Sequence, residues 1–267
     1  MPERPAAIRL PVRTGIRERT LAGELMLGAF IQLGSPVAAE LAGRAGLDWL
    51  LVDLEHGTGS EATLGPHLSA IEGTGAAALV RVEEGTRLRI GRALDAGAEG
   101  VMIPRLDDVD EIRRLATWLR YPPDGVRGVA LLTRGAGLGE VAHADVGALN
   151  DRVLGLVQVE SARAVENVAR TAAIDGVDVL FVGPTDLSHS LGIPGRLDEP
   201  VFRDALEAVA RGCRASGKAP GYLLRRASDA PRLLELGYTF LGIGSDMGFV
   251  TDAARAAVAE VAALRGR

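Results

Sequence analysis

Carboxylates follow two apolar runs of the sequence at positions where metal-dependent chemistry could take place. Glu160 follows the run Val153–Val159, and Asp186 follows the run Val179–Val182. If these runs are neighbouring parallel strands, the two carboxylates converge and repel each other unless a cation lies between them. Their oxygen ligands favour Mg²⁺ or Mn²⁺, which leaves positions open for water and a bidentate 2-oxo acid. For each residue alone, the alternative is a cap or surface acid at the start of the next helix.

A guanidinium and an imidazole end two other apolar runs. Arg81 could bind a carboxylate or a developing enolate oxygen, and its structural alternative is a salt bridge with Glu55. His56 follows Asp53 and Glu55, and it can act as a general base near neutral pH if a carboxylate orients its ring. The remaining histidines lie in helix or loop patterns and are predicted to be surface residues; they are His67, His143 and His189.

Lys218 is the only lysine among the 30 Lys and Arg residues of the chain. A Schiff-base lyase needs an amine at the C-terminal end of a strand, but Lys218 precedes the run Ala219–Leu223 and belongs to the opposite end. A divalent metal can instead polarise a 2-oxo group and stabilise its enolate. The residues therefore favour a metal-dependent, class II lyase over an imine-forming enzyme.

The elements that must position these residues are eight apolar runs that alternate with amphipathic stretches. The runs are Leu25–Gln32, Trp49–Leu54, Ala77–Val82, Val101–Pro104, Val153–Val159, Val179–Val182, Ala219–Leu223 and Phe240–Ile243. The helical stretches are 36–45, 61–72, 87–96, 107–119, 161–172, 200–216, 227–236 and 247–264. Buried parallel strands with helices between them predict an α/β fold, a (β/α)₈ TIM barrel. The alternative is an open doubly wound sheet, which the absence of a Gly-x-Gly-x-x-Gly turn after the first run disfavours.

A length of 267 residues suits one such barrel, which we assign to residues 14–267, with residues 1–13 as an extension. Residues 121–150 form a long excursion between the fourth and fifth strands, and such segments are typical of lids and binding loops.

Composition restricts the partners of the protein. With a net charge of −5 and 47% hydrophobic residues, the chain has no overall basic field for nucleic acid or an anionic membrane. The sequence patterns predict neither a signal peptide nor a transmembrane segment. Cys213, the single cysteine, is predicted to be a buried structural residue. These features predict a cytoplasmic enzyme that acts on a small metabolite.

Seven motifs of the chain resemble one enzyme family. They are Asp53-Leu54-Glu55-His56, Leu79-Val80-Arg81, Leu94–Ala98 (LDAGA), Tyr121–Gly128 (YPPDGVRG), Val157–Glu160 (VQVE), Gly183–Ser188 (GPTDLS) and Ser216–Gly221 (SGKAPG). From about residue 15 to the C-terminus, their order resembles the HpcH/HpaI family of class II pyruvate aldolases. That family includes 4-hydroxy-2-oxoheptanedioate aldolase and 2-dehydro-3-deoxyglucarate aldolase.

The resemblance implies a role for each matching residue. Glu160 and Asp186 match ligands of a divalent ion (Mg²⁺, Mn²⁺ or Co²⁺), and Arg81 matches the arginine that stabilises the enolate. His56 matches the base, and Asp95 matches the aspartate that is paired with it. The residues implied to bind pyruvate are Arg81, Gln158, Gly183, Pro184, Thr185 and Asp186. Leu223 matches a residue that lines the aldehyde pocket.

The family resemblance also implies a reaction and an assembly. The reaction is reversible cleavage of a 4-hydroxy-2-oxo acid into pyruvate and an aldehyde. The assembly is a homohexamer, a trimer of dimers, in which the last helix (247–264) is exchanged between subunits. The chain departs from the family at residues 82–86, in residues 131–150, and at Arg105, where several relatives carry methionine; these departures leave the aldehyde open.

Three alternatives to the aldolase interpretation remain at this point. One is an acyl-CoA lyase of the citrate or malyl-CoA type, which the absence of a basic patch for the CoA diphosphate disfavours. The second is an oxaloacetate decarboxylase. The third is a non-catalytic metabolite-binding barrel, which has no need of a base and two metal ligands.

Overall fold

The computed structural model describes residues 15–265, in which eight parallel strands form a closed barrel in sequential order. The strands are β1 (Met26–Ile31), β2 (Trp49–Asp53), β3 (Ala77–Arg81), β4 (Gly100–Ile103), β5 (Leu154–Val159), β6 (Val179–Val182), β7 (Ala219–Leu223) and β8 (Phe240–Ser245). β1 pairs with β8, which closes the sheet. The predicted barrel is confirmed and the open-sheet alternative is wrong; the predicted extension 1–13 lies outside the described residues.

The helix before β1 contributes Ile16 to the apolar cluster inside the barrel, and the later helices follow the strands on the outside. The helices are α1 (Ile16–Leu21), α2 (Pro36–Arg44), α3 (Glu61–Glu72), α4 (Arg87–Asp95), α5 (Val109–Thr117), α6 (Ala162–Glu166), α7 (Val168–Ala172), α8 (Pro184–Ser190), α9 (Pro200–Ala215), α10 (Ala230–Leu236) and α11 (Asp246–Ala262). The helix expected at 161–172 is divided at Asn167, and the sequence patterns did not predict the short helices α1 and α8. No helix among the described residues is long and apolar enough to cross a bilayer.

Aromatic residues fill the barrel interior. Trp49 stacks on Phe240 with ring centroids 4.6 Å apart. A Cβ atom on Gly28 would lie 1.9 Å from Cδ2 of Trp49, so glycine is required on β1 to admit the indole. This packed interior holds the strand ends in place, as the barrel architecture requires.

The outer helices bury one apolar face each, as α5 and α9 illustrate. The Asp108 carboxylate caps α5 by accepting hydrogen bonds from the N–H groups of Asp110 and Glu111. In α9, Cys213 is buried against the sheet, and burial raises the pKa of its thiol to about 12. A thiol with that pKa is inert, in agreement with the predicted structural role.

The excursion 121–150 lies at the N-terminal mouth of the barrel. It joins the end of α5 to the start of β5, and helix ends and strand starts share that mouth. The side chain of Asn150 anchors it, accepting from the N–H of Tyr121 at 2.7 Å and donating to the Tyr121 carbonyl at 3.0 Å. Within one chain, the excursion therefore lies away from the strand ends that carry the predicted site residues, and its role as a lid or binding loop stays a prediction.

The last helix, α11, differs from the others because it has no buried apolar face. Asp246 is its only buried residue within the described chain. Large apolar side chains stand exposed along it, including Val250, Val258 and Val261.

Candidate active site

A cavity of about 550 Å³ opens at the C-terminal mouth of the barrel. Its lining includes His56, Arg81, Gln158, Leu223 and the turn 183–186. Most of the predicted site residues are thus brought together, because each lies at the C-terminal end of a strand or just after it, and these ends share this mouth.

Arg81 is held by two carboxylates of β2 and its following turn. Its Nε and Nη2 atoms donate to the two carboxylate oxygens of Asp53 at 2.9 and 2.7 Å, and Nη1 lies 3.1 Å from Oε2 of Glu55. Nη1 also donates to Oε1 of Gln158 at 3.3 Å. The alternative salt bridge with Glu55 is present, yet the guanidinium still lines the cavity, so both interpretations of Arg81 are compatible.

Asp53 orients this guanidinium. Burial opposes ionisation of Asp53, but the hydrogen bonds and positive charge of Arg81, together with hydrogen bonds from Gln32 and the His56 N–H, hold the pKa of the carboxyl below its ordinary value. Gln32 also donates to this carboxylate, from Nε2 to Oδ2 of Asp53 at 2.8 Å. The carboxylate of Asp246 in turn accepts from the Gln32 and Leu33 N–H groups at 2.8 and 3.1 Å. The positioning residue Gln32 was missed from sequence because glutamine at a strand end carries no distinctive signal.

The Glu160 carboxylate accepts hydrogen bonds from two donors and lies near other negatively charged groups. Its Oε1 accepts from the Arg105 N–H at 2.7 Å, and its Oε2 accepts from Nε2 of Gln158 at 3.3 Å. Burial raises the pKa of Glu160, and the charges of Asp186 and Glu55 raise it further against the Arg105 hydrogen bond. A Cβ atom on Gly183 would lie 3.1 Å from Oε2 of Glu160, so glycine keeps the space beside this oxygen open.

This donor set fits a hard divalent ion. Within residues 15–265 there is no cluster of three or more His, Cys, Asp or Glu side chains suited to a metal. Mg²⁺ commonly uses one or two protein carboxylates and takes its other ligands from water and substrate. The oxygens of Glu160 and Asp186, beside an open cavity, match that requirement, and a cation would relieve the repulsion that raises the pKa of Glu160.

His56 and Asp95 lie at opposite mouths of the barrel. His56 follows β2 at the C-terminal mouth, with Nε2 3.8 Å from Oε2 of Glu55 and 54% of its side chain exposed. Asp95 is the last residue of α4, which runs back to the N-terminal mouth, where its Oδ1 pairs with Nη2 of Arg127 at 2.7 Å. The expected pairing is therefore not formed within one chain, because a helix reverses the direction of the strand before it.

One of the other histidines also departs from expectation. His67 is fully buried in α3, and its Nδ1–H donates to the Thr63 carbonyl at 2.7 Å. The prediction that His67 lies on the surface is wrong, because its position falls on the face of α3 that packs against the barrel.

Two arginines at the C-terminal mouth of the barrel were given no role from sequence. Arg105 follows β4 with a positive φ of 57°, and its Nε lies 3.5 Å from Oε1 of Glu55. Arg225 follows Leu223 beyond β7 and lines the cavity. Their positions just after apolar runs were the available signal.

Comparison with known proteins identifies close relatives. The family model described as HpcH/HpaI aldolase/citrate lyase matches residues 26–253. A 5-keto-4-deoxy-D-glucarate aldolase from Enterobacter sp. (strain 638) is 38% identical over 232 residues, which are 87% of this chain and 90% of that protein.

Solved structures of the same family superpose on this chain. An HpcH/HpaI aldolase/citrate lyase family protein from Burkholderia cenocepacia J2315 superposes with a TM-score of 0.87 at 35% identity, covering 93% of this chain and 99% of that one. The HpcH/HpaI aldolase from Desulfitobacterium hafniense DCB-2 gives a TM-score of 0.87 at 29% identity, covering 92% and 96% of the two chains.

Proposed function

The chain belongs to the HpcH/HpaI aldolase/citrate lyase family, and from this premise we propose how it acts as a class II aldolase. It reversibly cleaves a 4-hydroxy-2-oxo acid into pyruvate and an aldehyde. The Enterobacter relative is named for 5-keto-4-deoxy-D-glucarate, which is a 4-hydroxy-2-oxo acid when numbered from the keto end. A sugar acid of this kind is the substrate class that we assign.

The observation that carries the proposal is that Arg81 and Asp186 line one cavity, while the Glu160 carboxylate lies directly behind two further lining residues, Gly183 and Gln158. Glu160 and Asp186 would hold the divalent ion, Mg²⁺, Mn²⁺ or Co²⁺. When bound, such an ion acts as a Lewis acid toward the 2-oxo group and its enolate. Burial, and to a smaller extent the charges of Asp186 and Glu55, raise the pKa of Glu160, and a cation at this position would offset the repulsion among these acids.

Protein residues supply binding and proton transfer. Arg81, fixed by Asp53, donates hydrogen bonds to the 2-oxo oxygen and stabilises the charge that develops there. The turn 183–186 and Gln158 receive the pyruvate carboxylate, and Leu223 lines the space for the aldehyde. In cleavage, His56 takes the proton of the 4-hydroxyl group as the bond between carbons 3 and 4 breaks, and the protonated His56 then gives a proton to carbon 3 of the enolate, which releases pyruvate.

We propose further that the enzyme is a cytoplasmic homo-oligomer, a hexamer built as a trimer of dimers. The exposed apolar side chains of α11 support exchange of this helix between subunits. Asp95 gives a second reason, because it can orient His56 only if the two residues come from different copies of the chain.

Formation of pyruvate tests the proposed function. Purified protein with Mg²⁺ and a racemic 4-hydroxy-2-oxo acid should release pyruvate, detected by its reduction with lactate dehydrogenase, together with an equimolar aldehyde. Glu160→Gln provides the matched control, since it keeps the shape of the side chain and removes the charge. Absence of pyruvate with every 4-hydroxy-2-oxo acid tested would reject the proposal.

A further inference from the structure

Arg225 presents an unpaired positive charge to the cavity. Of the two arginines in the cavity lining, Arg81 is neutralised by Asp53 and Glu55. Within residues 15–265, Arg225 forms no ion pair, and its hydrogen bond goes from Nη1 to the Gly195 carbonyl at 3.4 Å. A guanidinium without a carboxylate, in a concave site, is available to an anionic ligand.

The position of Arg225 places this charge across the mouth from the pyruvate site. Arg81 ends β3 and Arg225 follows β7, and in a closed barrel of eight sequential strands these two strands face each other. A substrate whose 2-oxo group lies at Arg81 therefore extends toward Arg225 with its other end. That end becomes the aldehyde after cleavage.

The cavity wall on the side of Arg225 is otherwise largely apolar. Leu223, Ile243 and Phe249 line the same side of the cavity. Asp252 of α11 also lines it, but it forms no ion pair with Arg225 among the described residues. An apolar wall alone would accept an uncharged aldehyde, whereas an unpaired guanidinium favours a carboxylate, which it can bind with two parallel hydrogen bonds.

We propose that Arg225 is a specificity-determining residue that binds the carboxylate of the aldehyde partner. The sugar acid assigned above carries two carboxylates, of which one would lie in the pyruvate site and the other at Arg225. This inference rests on the proposed aldolase function and names the residue that would select its charged aldehyde.

The test compares two aldehydes that differ at one group. In the aldol direction with pyruvate and Mg²⁺, kcat/KM is measured for 2-hydroxy-3-oxopropanoate and for glyceraldehyde, which has a hydroxymethyl group in place of the carboxylate. The preference for the carboxylate should fall about 10- to 100-fold in Arg225→Ala, the range expected for a hydrogen bond to a charged group. Arg225→Lys keeps the positive charge but cannot donate two parallel hydrogen bonds to a carboxylate, so it should give an intermediate preference for the carboxylate-bearing aldehyde. Arg226→Ala is the matched control, because Arg226 is exposed beside Arg225 but does not line the cavity.

The preference ratio separates this inference from the proposed function. Turnover of glyceraldehyde by the wild type and by Arg225→Ala establishes a folded aldolase independently of Arg225. An unchanged ratio in Arg225→Ala, or an equal fall in Arg226→Ala, would overturn the assignment. Failure of the wild type with both aldehydes would overturn the aldolase function, and the role of Arg225 with it.

Discussion

The backbone N–H of Arg105 donates to Oε1 of Glu160 at 2.7 Å from a residue whose φ is 57°. A positive φ is uncommon for a residue with a side chain, and such conformations persist mainly where function requires them. The chain therefore accepts backbone strain in order to hold one of the two proposed metal ligands. The side chain of Arg105 is largely exposed, so packing of that side chain does not account for the conformation.

Two substitutions of Arg105 distinguish the contribution of its backbone conformation to metal binding from that of its side chain. Arg105→Gly should keep Mn²⁺ affinity, measured by calorimetry, near the wild-type value, because glycine adopts positive φ at no cost. Arg105→Val should weaken it about 10- to 100-fold, as loss of a partner that orients a ligand commonly does. If the glycine variant binds as weakly as the valine variant, the guanidinium rather than the backbone is responsible.

The fold and most of the site could be read from sequence because both depend on strands. Buried parallel strands give apolar runs, and polar residues after those runs must gather at one mouth, as Arg81, Gln158 and Asp186 do. The location of Asp95 follows another rule, since a helix carries its last residue back to the other mouth. Resemblance to a family names residues that act together, but it does not say which subunit supplies each of them.

Sequence analysis could not predict two local features, because both depend on the folded chain. They are the backbone conformation of Arg105 and the ion pair of Asp95 with Arg127. Hydropathy does not encode a single φ angle. It also does not reveal pairings between distant segments, such as residues 95 and 127. For the same reason, the sequence could not show that Arg225 lacks an ion pair among the described residues, because that depends on which carboxylates lie near it in the fold.

Removal of divalent ions should abolish aldol cleavage. Arg81 is already neutralised by Asp53 and Glu55, so it supplies too little positive charge to stabilise an enolate beside Glu160 and Asp186. Pyruvate release should therefore stop in EDTA and return on addition of Mg²⁺, Mn²⁺ or Co²⁺. Full turnover by protein verified as metal-free by elemental analysis would contradict this.

Replacement of Lys218 should leave activity nearly intact. Lys218 directly precedes β7 and so lies at the N-terminal mouth, away from the cavity. Lys218→Arg, which cannot form an imine, should retain close to wild-type pyruvate release. Treatment with pyruvate and borohydride should leave the protein mass unchanged, and a reduced pyruvate adduct at Lys218 would show that the class II mechanism is wrong.

Charges introduced on α11 should dissociate the proposed oligomer. Val258 and Val261 are 67% and 63% exposed, which is costly for a helix that has no covering partner. The double variant Val258→Glu, Val261→Glu should sediment as a smaller species than the wild type. Arg211→Gln, an exposed change on α9, is the control and should sediment as the wild type does. A wild-type protein that is a compact monomer at micromolar concentration would reject helix exchange.

Proton transfer by His56 can be isolated from aldehyde specificity. Exchange of the pyruvate methyl protons with D₂O needs the base and no aldehyde. His56→Ala should slow this exchange by about 10²- to 10⁴-fold, the usual contribution of a general base. Asp95→Asn should slow it less, because it removes only the group that orients the ring. Mn²⁺ affinity should be nearly unchanged in both variants, since neither side chain is assigned to the ion.

A mixture of the two variants tests whether His56 and Asp95 meet between subunits. Within one chain these residues lie at opposite mouths, and Asp95 is paired with Arg127 at 2.7 Å. In an oligomer assembled from His56→Ala and Asp95→Asn chains, some sites combine the intact His56 of one chain with the intact Asp95 of the other. Exchange should then exceed the mean of the two separate variants, because those sites regain an oriented base. If His56→Ala exchanges protons at the wild-type rate, His56 is not the base, and Glu55, 3.8 Å from its ring, is the next residue to substitute.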